Sequence, residues 1–150
     1  MKVVIQRVSE ASVMIDGNTK SSIKAGCLVL LGITIEDNIA DADWLMDKIG
    51  QLRIYSDAAG LMNLSLEQIN GEALLISQFT LLASTKKGNR PSYISAARPE
   101  QAIPLYEYAI RRLENALGKS IMTGEFGADM KVSLVNDGPV TIIIDSKNRE

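Results

Sequence analysis

The chain has 150 residues, 46% apolar and 23% charged, with a net charge of −2. Such a length and balance suit one folded domain, 1–150, with a substantial core. They exclude a disordered chain and a protein that holds nucleic acid by its overall charge.

It contains no histidine. That removes Ser-His-Asp and Cys-His catalysis and every His-ligated zinc site. Any hydrolysis must then use hydroxyls, carboxylates, lysine, backbone dipoles or the substrate itself. The opening segment, MKVVIQRVSE, acquires charge too early for a signal peptide, and the longest apolar run, CLVLLGITI, is about half of what a membrane span needs. A soluble, cytoplasmic protein with no membrane partner is the expectation.

Residues 2–8 and 11–16 read as a first hairpin. In the second arm Ala11, Val13 and Ile15 alternate with Ser12, Met14 and Asp16, and Gly17-Asn18 marks a turn. Residues 27–34 form a continuous apolar run, a fully buried strand. Cys27 lies in it, a small core residue with no partner for a disulfide. A helix follows over about 39–52, capped by Asn38 or Asp37, with Ala42, Leu45, Ile49 and Leu52 on one face. The segment YSDAAGLMNLSL reads as a loop or short hairpin. ALLISQFTL, 73–81, is the clearest central strand.

ASTKKGNRPSY then reads as a loop, broken by Gly88 and Pro91. A second helix is predicted over about 100–117, with Ile103, Tyr106, Ile110, Leu113 and Leu117 at helical spacing. Pro104 is placed in its first turn and Gly118 at its stop. Strands over 120–126, 130–136 and 140–145 close the chain. The fold class is α/β and β-rich: a curved sheet or half-barrel covered by two main helices.

Three segments offer chemistry. In SQFTL, a strand would put Ser77 and Phe79 on one face and Gln78 and Thr80 on the other. The polar face either ends at a cavity or is satisfied by neighbouring backbone. A hydroxyl without histidine is a poor nucleophile, but Thr80 or nearby amides could support an oxyanion. In NDGPVT, Gly138 leaves space beside the backbone and Pro139 removes a donor and fixes its own φ. By itself the dipeptide reads as a bulge or turn before the last strand, although X–Pro is also where a cis peptide costs least. In KKGNRPSY, Lys86, Lys87 and Arg90 belong to a window, 85–112, that carries +4 while the remainder carries −6. It is either a local contact for an anionic partner or ordinary solvated surface. No cluster has metal-ligand spacing.

Together QRVSEASVMIDG, SQFTL, KKGNRPSY, ARP with PLYEY, GEFGADM and NDGPVT resemble, in order and spacing, the D-aminoacyl-tRNA deacylases. The resemblance spans nearly the whole chain. It implies a three-layer deacylase-type fold and a homodimer that hydrolyses the ester between tRNA and a D-amino acid or glycine, with the active site at the subunit interface and no cofactor, metal or DNA partner. It also implies that Gly138 and Pro139 form a Gly-cisPro motif inserted into the partner's pocket. Ser77, Gln78, Phe79 and Thr80 would line the pocket floor. Arg7 would orient the Gly-Pro loop, Asn136 would belong to the substrate-binding set, and Lys86, Lys87 and Arg90 would meet the acceptor stem. Two rivals remain: a general esterase using Ser77 or Thr80, and a non-enzymatic RNA-binding homo-oligomer.

Overall fold

A computed structural model describes residues 1–149. Its centre is a six-stranded sheet. β1 (Lys2–Ile15) runs antiparallel to β2 (Asn18–Ile23) and to β3 (Gly26–Gly32). β2 and β3 lie end to end along the same side of β1. Val13 pairs with Ser21 and Val8 with Gly26, so one register continues across the break at Lys24-Ala25. On the other side β1 pairs with β8 (Lys131–Asp145), from Lys2↔Asp145 to Met14↔Lys131. β6 (Glu72–Ser77) adds parallel to β3, and β7 (Met122–Thr123) parallel to β6. A small separate ribbon pairs β4 (Tyr55–Ser56) with β5 (Met62–Leu64).

Parallel neighbours need crossovers, and helices supply them. α1 (Ile39–Gln51) lies between β3 and β6, and α2 (Pro99–Leu117) between β6 and β7. Alternation in β3 and β6 divides the apolar residues into two cores. Cys27, Val29, Leu31, Ala73 and Leu75 face the helices, against Leu45, Met46, Ile49, Tyr106 and Leu113. Leu28, Leu74 and Ile76 face the opposite way, against Val8, Ala11, Val13 and Ile23 from the folded-over part of the sheet. The Ser21 hydroxyl donates to the Thr123 carbonyl at 2.6 Å, so β2 reaches β7 and the sheet nearly closes. Helices, central strands and overlying strands thus form the expected layered half-barrel.

Several local expectations change. The first hairpin is one long strand, irregular near Ser9-Glu10, whose hairpin partner is β2-β3. β2 went unread because NTKSSI has little apolar signal. The strand predicted over 120–126 shortens to two residues, and the two predicted at 130–136 and 140–145 are one strand with a bulge. α2 starts at Pro99, so Pro104 stands past the first turn. Its missing N–H leaves the carbonyl of exposed Glu100 without its intrahelical donor. Gly118, with φ +66°, ends the helix in the left-handed conformation. Among the described residues no helix is long and apolar enough to cross a membrane.

Asn38 is the cap of α1: it accepts from Ala40 N–H, while Asp41 accepts from Asn38 N–H. Asp37 is used elsewhere. It holds the buried Met1 ammonium and accepts from Thr34 N–H at 2.6 Å. Ser146 Oγ joins the same cluster, accepting from the ammonium and donating to Asp41. Burial alone would raise the Asp41 pKa, but bonds from Lys147, Ser146 and Asn38 N–H outweigh it and bring the carboxyl down to about 2 from an ordinary 3.8. A depressed folded pKa contributes stability above the unfolded value and loses it as pH falls through the folded one, here from about pH 4 towards 2. Asp41→Asn is therefore expected to cost about 2 kcal/mol at neutral pH. It should also flatten the fall in urea midpoint over that window. A variant with the wild-type acid slope would assign the transition to another carboxylate.

Candidate active site

The strand β6 stops at Ser77. Gln78 N–H donates to the Leu31 carbonyl at 2.7 Å, and the chain then turns into a 3₁₀ helix, Phe79–Leu82. The continuous strand predicted to residue 81 is replaced by this turn. Its first bond runs from Leu81 N–H to the Gln78 carbonyl, so the amides of Phe79 and Thr80 lie ahead of it without an acceptor in the turn. Gln78 Nε2 donates to Thr80 Oγ1. That leaves the Thr80 hydroxyl proton free to be donated elsewhere.

Beside the strand end lies a cleft of about 260 Å³. Ser77, Gln78 and Phe79 form one wall. Phe126, Gly127, Ala128, Met130 and Val132 form the facing one. Thr80 is exposed and outside this lining in the single chain, tied to it through Gln78. No lining residue carries an ionisable side chain. The Phe79 ring, 56% exposed, meets Tyr93 edge-on with centroids 5.0 Å apart. Cys27 is buried away from solvent, its thiol pushed up to about 12 mainly by desolvation.

The Gly138–Pro139 segment forms a second, separate feature. In the β1–β8 ladder Gln6 pairs with Thr141 and Val8 with Asn136, so residues 137–140 bulge out opposite Arg7 alone. Asp137, Gly138 and Pro139 are exposed, and the Gly138–Pro139 peptide is cis. Arg7 Nε donates to the Asp137 carbonyl at 2.8 Å and Nη1 to the Ile54 carbonyl at 2.6 Å, with the Asp137 carboxylate 3.5 Å away. Asn136 Oδ1 accepts from Val140 N–H at 2.8 Å, and its Nδ2 donates to Thr141 Oγ1 at 3.0 Å. Gly138 has φ +141°, and a Cβ there would stand 2.9 Å from Val140 N and 3.0 Å from Arg7 Nη2. Neither Gly138 nor Pro139 lines the cleft of its own chain.

The family model described as D-Tyr-tRNA(Tyr) deacylase matches residues 4–145. The chain belongs to that family. Proteins named D-aminoacyl-tRNA deacylase from Cytophaga hutchinsonii and Flavobacterium psychrophilum are 64% and 62% identical to it over 150 residues, covering all of each chain. Among solved structures, one titled c-Myc DNA Unwinding Element Binding Protein is 39% identical, with a TM-score of 0.91 over 97% of this chain and 98% of that one. Another, titled as a probable eukaryotic D-amino acid tRNA deacylase, shares the fold at 13% identity, with a TM-score of 0.82 over 95% of this chain and 97% of that one.

Within this deacylase chain, the site residues expected from sequence fall into three groups. Ser77, Gln78, Phe79 and Thr80 gather at the strand end, and Arg7, Asn136, Gly138 and Pro139 at the bulge. Lys86, Lys87 and Arg90 are exposed on a loop closed by paired backbone bonds between Ser84 and Ser92. The facing wall, Phe126 to Val132, was given no role by sequence reasoning, although GEFGADM was noted as a motif. Asn136→Ala should remove the acceptor of Val140 N–H at a cost of about 1 kcal/mol. Amide hydrogen exchange at Val140 should then quicken while exchange in β6 is unchanged. Equal quickening in both would mean that Asn136 supports the whole sheet.

Proposed function

We propose that this deacylase hydrolyses the ester joining a D-aminoacyl group, or glycine, to the terminal ribose of tRNA, as a cytoplasmic homodimer. The observation that carries the reading is a cleft with no ionisable group in its walls, bounded at Phe79 by a turn whose first two amides have no acceptor within it. Such a site is unsuited to making a strong nucleophile. It suits an ester that is already activated and has a vicinal hydroxyl of its own to assist water. The protein's part is to orient the ester and to support the oxyanion through the Phe79 and Thr80 amides. Thr80 acts as a hydrogen-bond donor. Its oxygen already accepts from Gln78, and no base lies in the cleft to take its proton.

Chiral selection is assigned to Gly138 and Pro139, reaching into the partner's cleft. Substrates with unlike side chains cannot be sorted by a side-chain pocket. Backbone carbonyls can hold the α-amino group, leave a D side chain directed outward and occupy the place an L side chain requires. Glycine passes such a filter. Support comes from the bulge being exposed and braced by Arg7 and Asn136, yet outside its own cleft. A dimer is supported by β8. It pairs only with β1 among the described strands, and it exposes Val135 (50%) and Ile143 (68%).

The deciding assay follows ester loss from D-tyrosyl-tRNA and L-tyrosyl-tRNA in parallel. The D ester should be lost at least about a hundredfold faster, with Thr80→Ala slowing it by a similar factor and no trapped acyl-enzyme. Equal loss of both esters would leave an esterase without a chiral filter. No loss with tight binding of uncharged tRNA would favour a binding module. An acyl group trapped on Thr80 would make it the nucleophile.

Lys86, Lys87 and Arg90 are assigned to acceptor-stem phosphates. Removing Lys86 and Lys87 together should weaken tRNA binding regardless of sequence and reduce the log–log salt slope by about 2. Unchanged affinity and slope would take the loop off the tRNA surface.

A further inference from the structure

The segment Gly124–Met130 carries a motif for which the reaction above has no use, yet it builds the wall facing Ser77, Gln78 and Phe79. Gly124 N–H donates to the Leu75 carbonyl at 3.3 Å, just beyond β7, and fixes where the wall begins. Gly127, at φ +79°, lies in the turn that reverses the chain, closed by Ala128 N–H to the Glu125 carbonyl at 3.2 Å. Phe126 then packs towards the helices, its ring 5.9 Å from that of Tyr106. Met130 packs towards the opposite core with Ile76 and Val132. The cleft opens where the two cores part.

Gly124 is buried and its φ is outside the left-handed region, so backbone conformation does not explain a glycine there. Proximity does. A Cβ on Gly124 would stand 2.5 Å from Met130 Sδ, 3.6 Å from Met130 Cε and 3.7 Å from Ile76 Cγ1. The Met130 thioether therefore occupies the room that a side chain at 124 would take. Both Met130 and Ile76 line the cleft. The atom that must give is the far end of an unbranched, flexible side chain, and that side chain is part of the cleft wall.

We infer that Gly124 and Met130 form a pair that sets the width of the cleft: the bare backbone at 124 lets Met130 lie back and leaves room for the ester end of the substrate. The inference rests on the deacylase reading and adds positioning residues to it. The space is used by the part common to all substrates, since the D side chain points outward. A methyl at 124 should thus slow every aminoacyl ester alike.

The test compares wild type, Gly124→Ala and the double variant Gly124→Ala/Met130→Ala on D-tyrosyl-tRNA and glycyl-tRNA. Gly124→Ala should lower kcat/KM by about tenfold or more for both esters, up to the roughly hundredfold loss that misplacing a reacting group by about 1 Å can cause. The double variant should return both to within about threefold of wild type, because the displaced sulfur is gone. A Gly124→Ala protein with wild-type rates overturns the inference. So does a loss that the double variant fails to restore, or one confined to the D-tyrosyl ester. A Gly124→Ala chain that does not fold overturns it too, since Met130 would then be unable to give. If wild type spares both esters, the deacylase reading has failed, and the ¹³C-methyl resonance of Met130 decides the pair. A clear shift in Gly124→Ala supports it, and an unmoved resonance overturns it.

Discussion

The bond from Gln78 N–H to the Leu31 carbonyl is the last rung between β6 and β3, and the cleft depends on the chain leaving the ladder there. The departure is possible because the neighbouring strand ends in Gly32. A Cβ at Gly32 would come within 3.1 Å of the Gln78 carbonyl oxygen and 3.3 Å of both Leu81 Cβ and Leu82 Cγ. With no side chain in the way, the 3₁₀ turn lies directly over the strand end. That contact aims Ser77 and Gln78 into the cleft, leaves two amides ahead of the first turn bond and exposes the Phe79 ring. A side chain at 32 would press on all of these at once, by a few tenths of an ångström. Glycine here is a condition of the site and not a flexible joint.

Arg7 performs the complementary task on the other side of β1. Its guanidinium spans the Asp137 carbonyl in the bulge and the Ile54 carbonyl ahead of β4, so two otherwise separate segments are held at fixed spacing. The planar fork suits this, since several donors leave one rigid group in defined directions. Beneath it lies Tyr55, whose hydroxyl is raised in pKa by desolvation first and by Cys27 beside it. The bulge is therefore backed by a packed interior and not only by its own backbone. The division of labour is consistent: the protein fixes backbone groups in space, and reactivity is left to the ester.

Much of this was legible in the sequence, for physical reasons. Ala42, Leu45 and Ile49 gave α1 because helical spacing repeats over enough turns to be distinctive, and the cap was narrowed to Asn38 or Asp37 because few side chains can satisfy the first amides. The SQFTL and NDGPVT segments both stood out in the sequence. The bulge at NDGPVT was legible from its Gly-Pro pair; the shape of SQFTL was not. Apolar residues continue through Leu81, so a strand was read where contact with Gly32 imposes a 3₁₀ turn; a tertiary contact of that kind leaves no local trace. β2 was missed because a polar strand shielded on one side buries little beyond Ser21 and Ile23. The wall from Phe126 to Met130 was invisible as a wall. It is five residues of mixed size with no repeat, and what matters is which atoms lack room, something no periodicity reports.

The pairing of β1 with β8 joins the two extremes of the fold, from Lys2 opposite Asp145 inward. Contacts so distant in sequence form late, and they slow folding because a long loop must close before any of them is rewarded. The cleft needs Val132 from β8 as well as Leu31 from β3. It therefore cannot exist on a nascent chain until residues beyond 132 have left the ribosome. Until then one long side of β1 is an open edge facing other chains, a natural point for chaperones to engage. Competence as a deacylase thus waits on the return of β8 to β1, however early β1 itself is made.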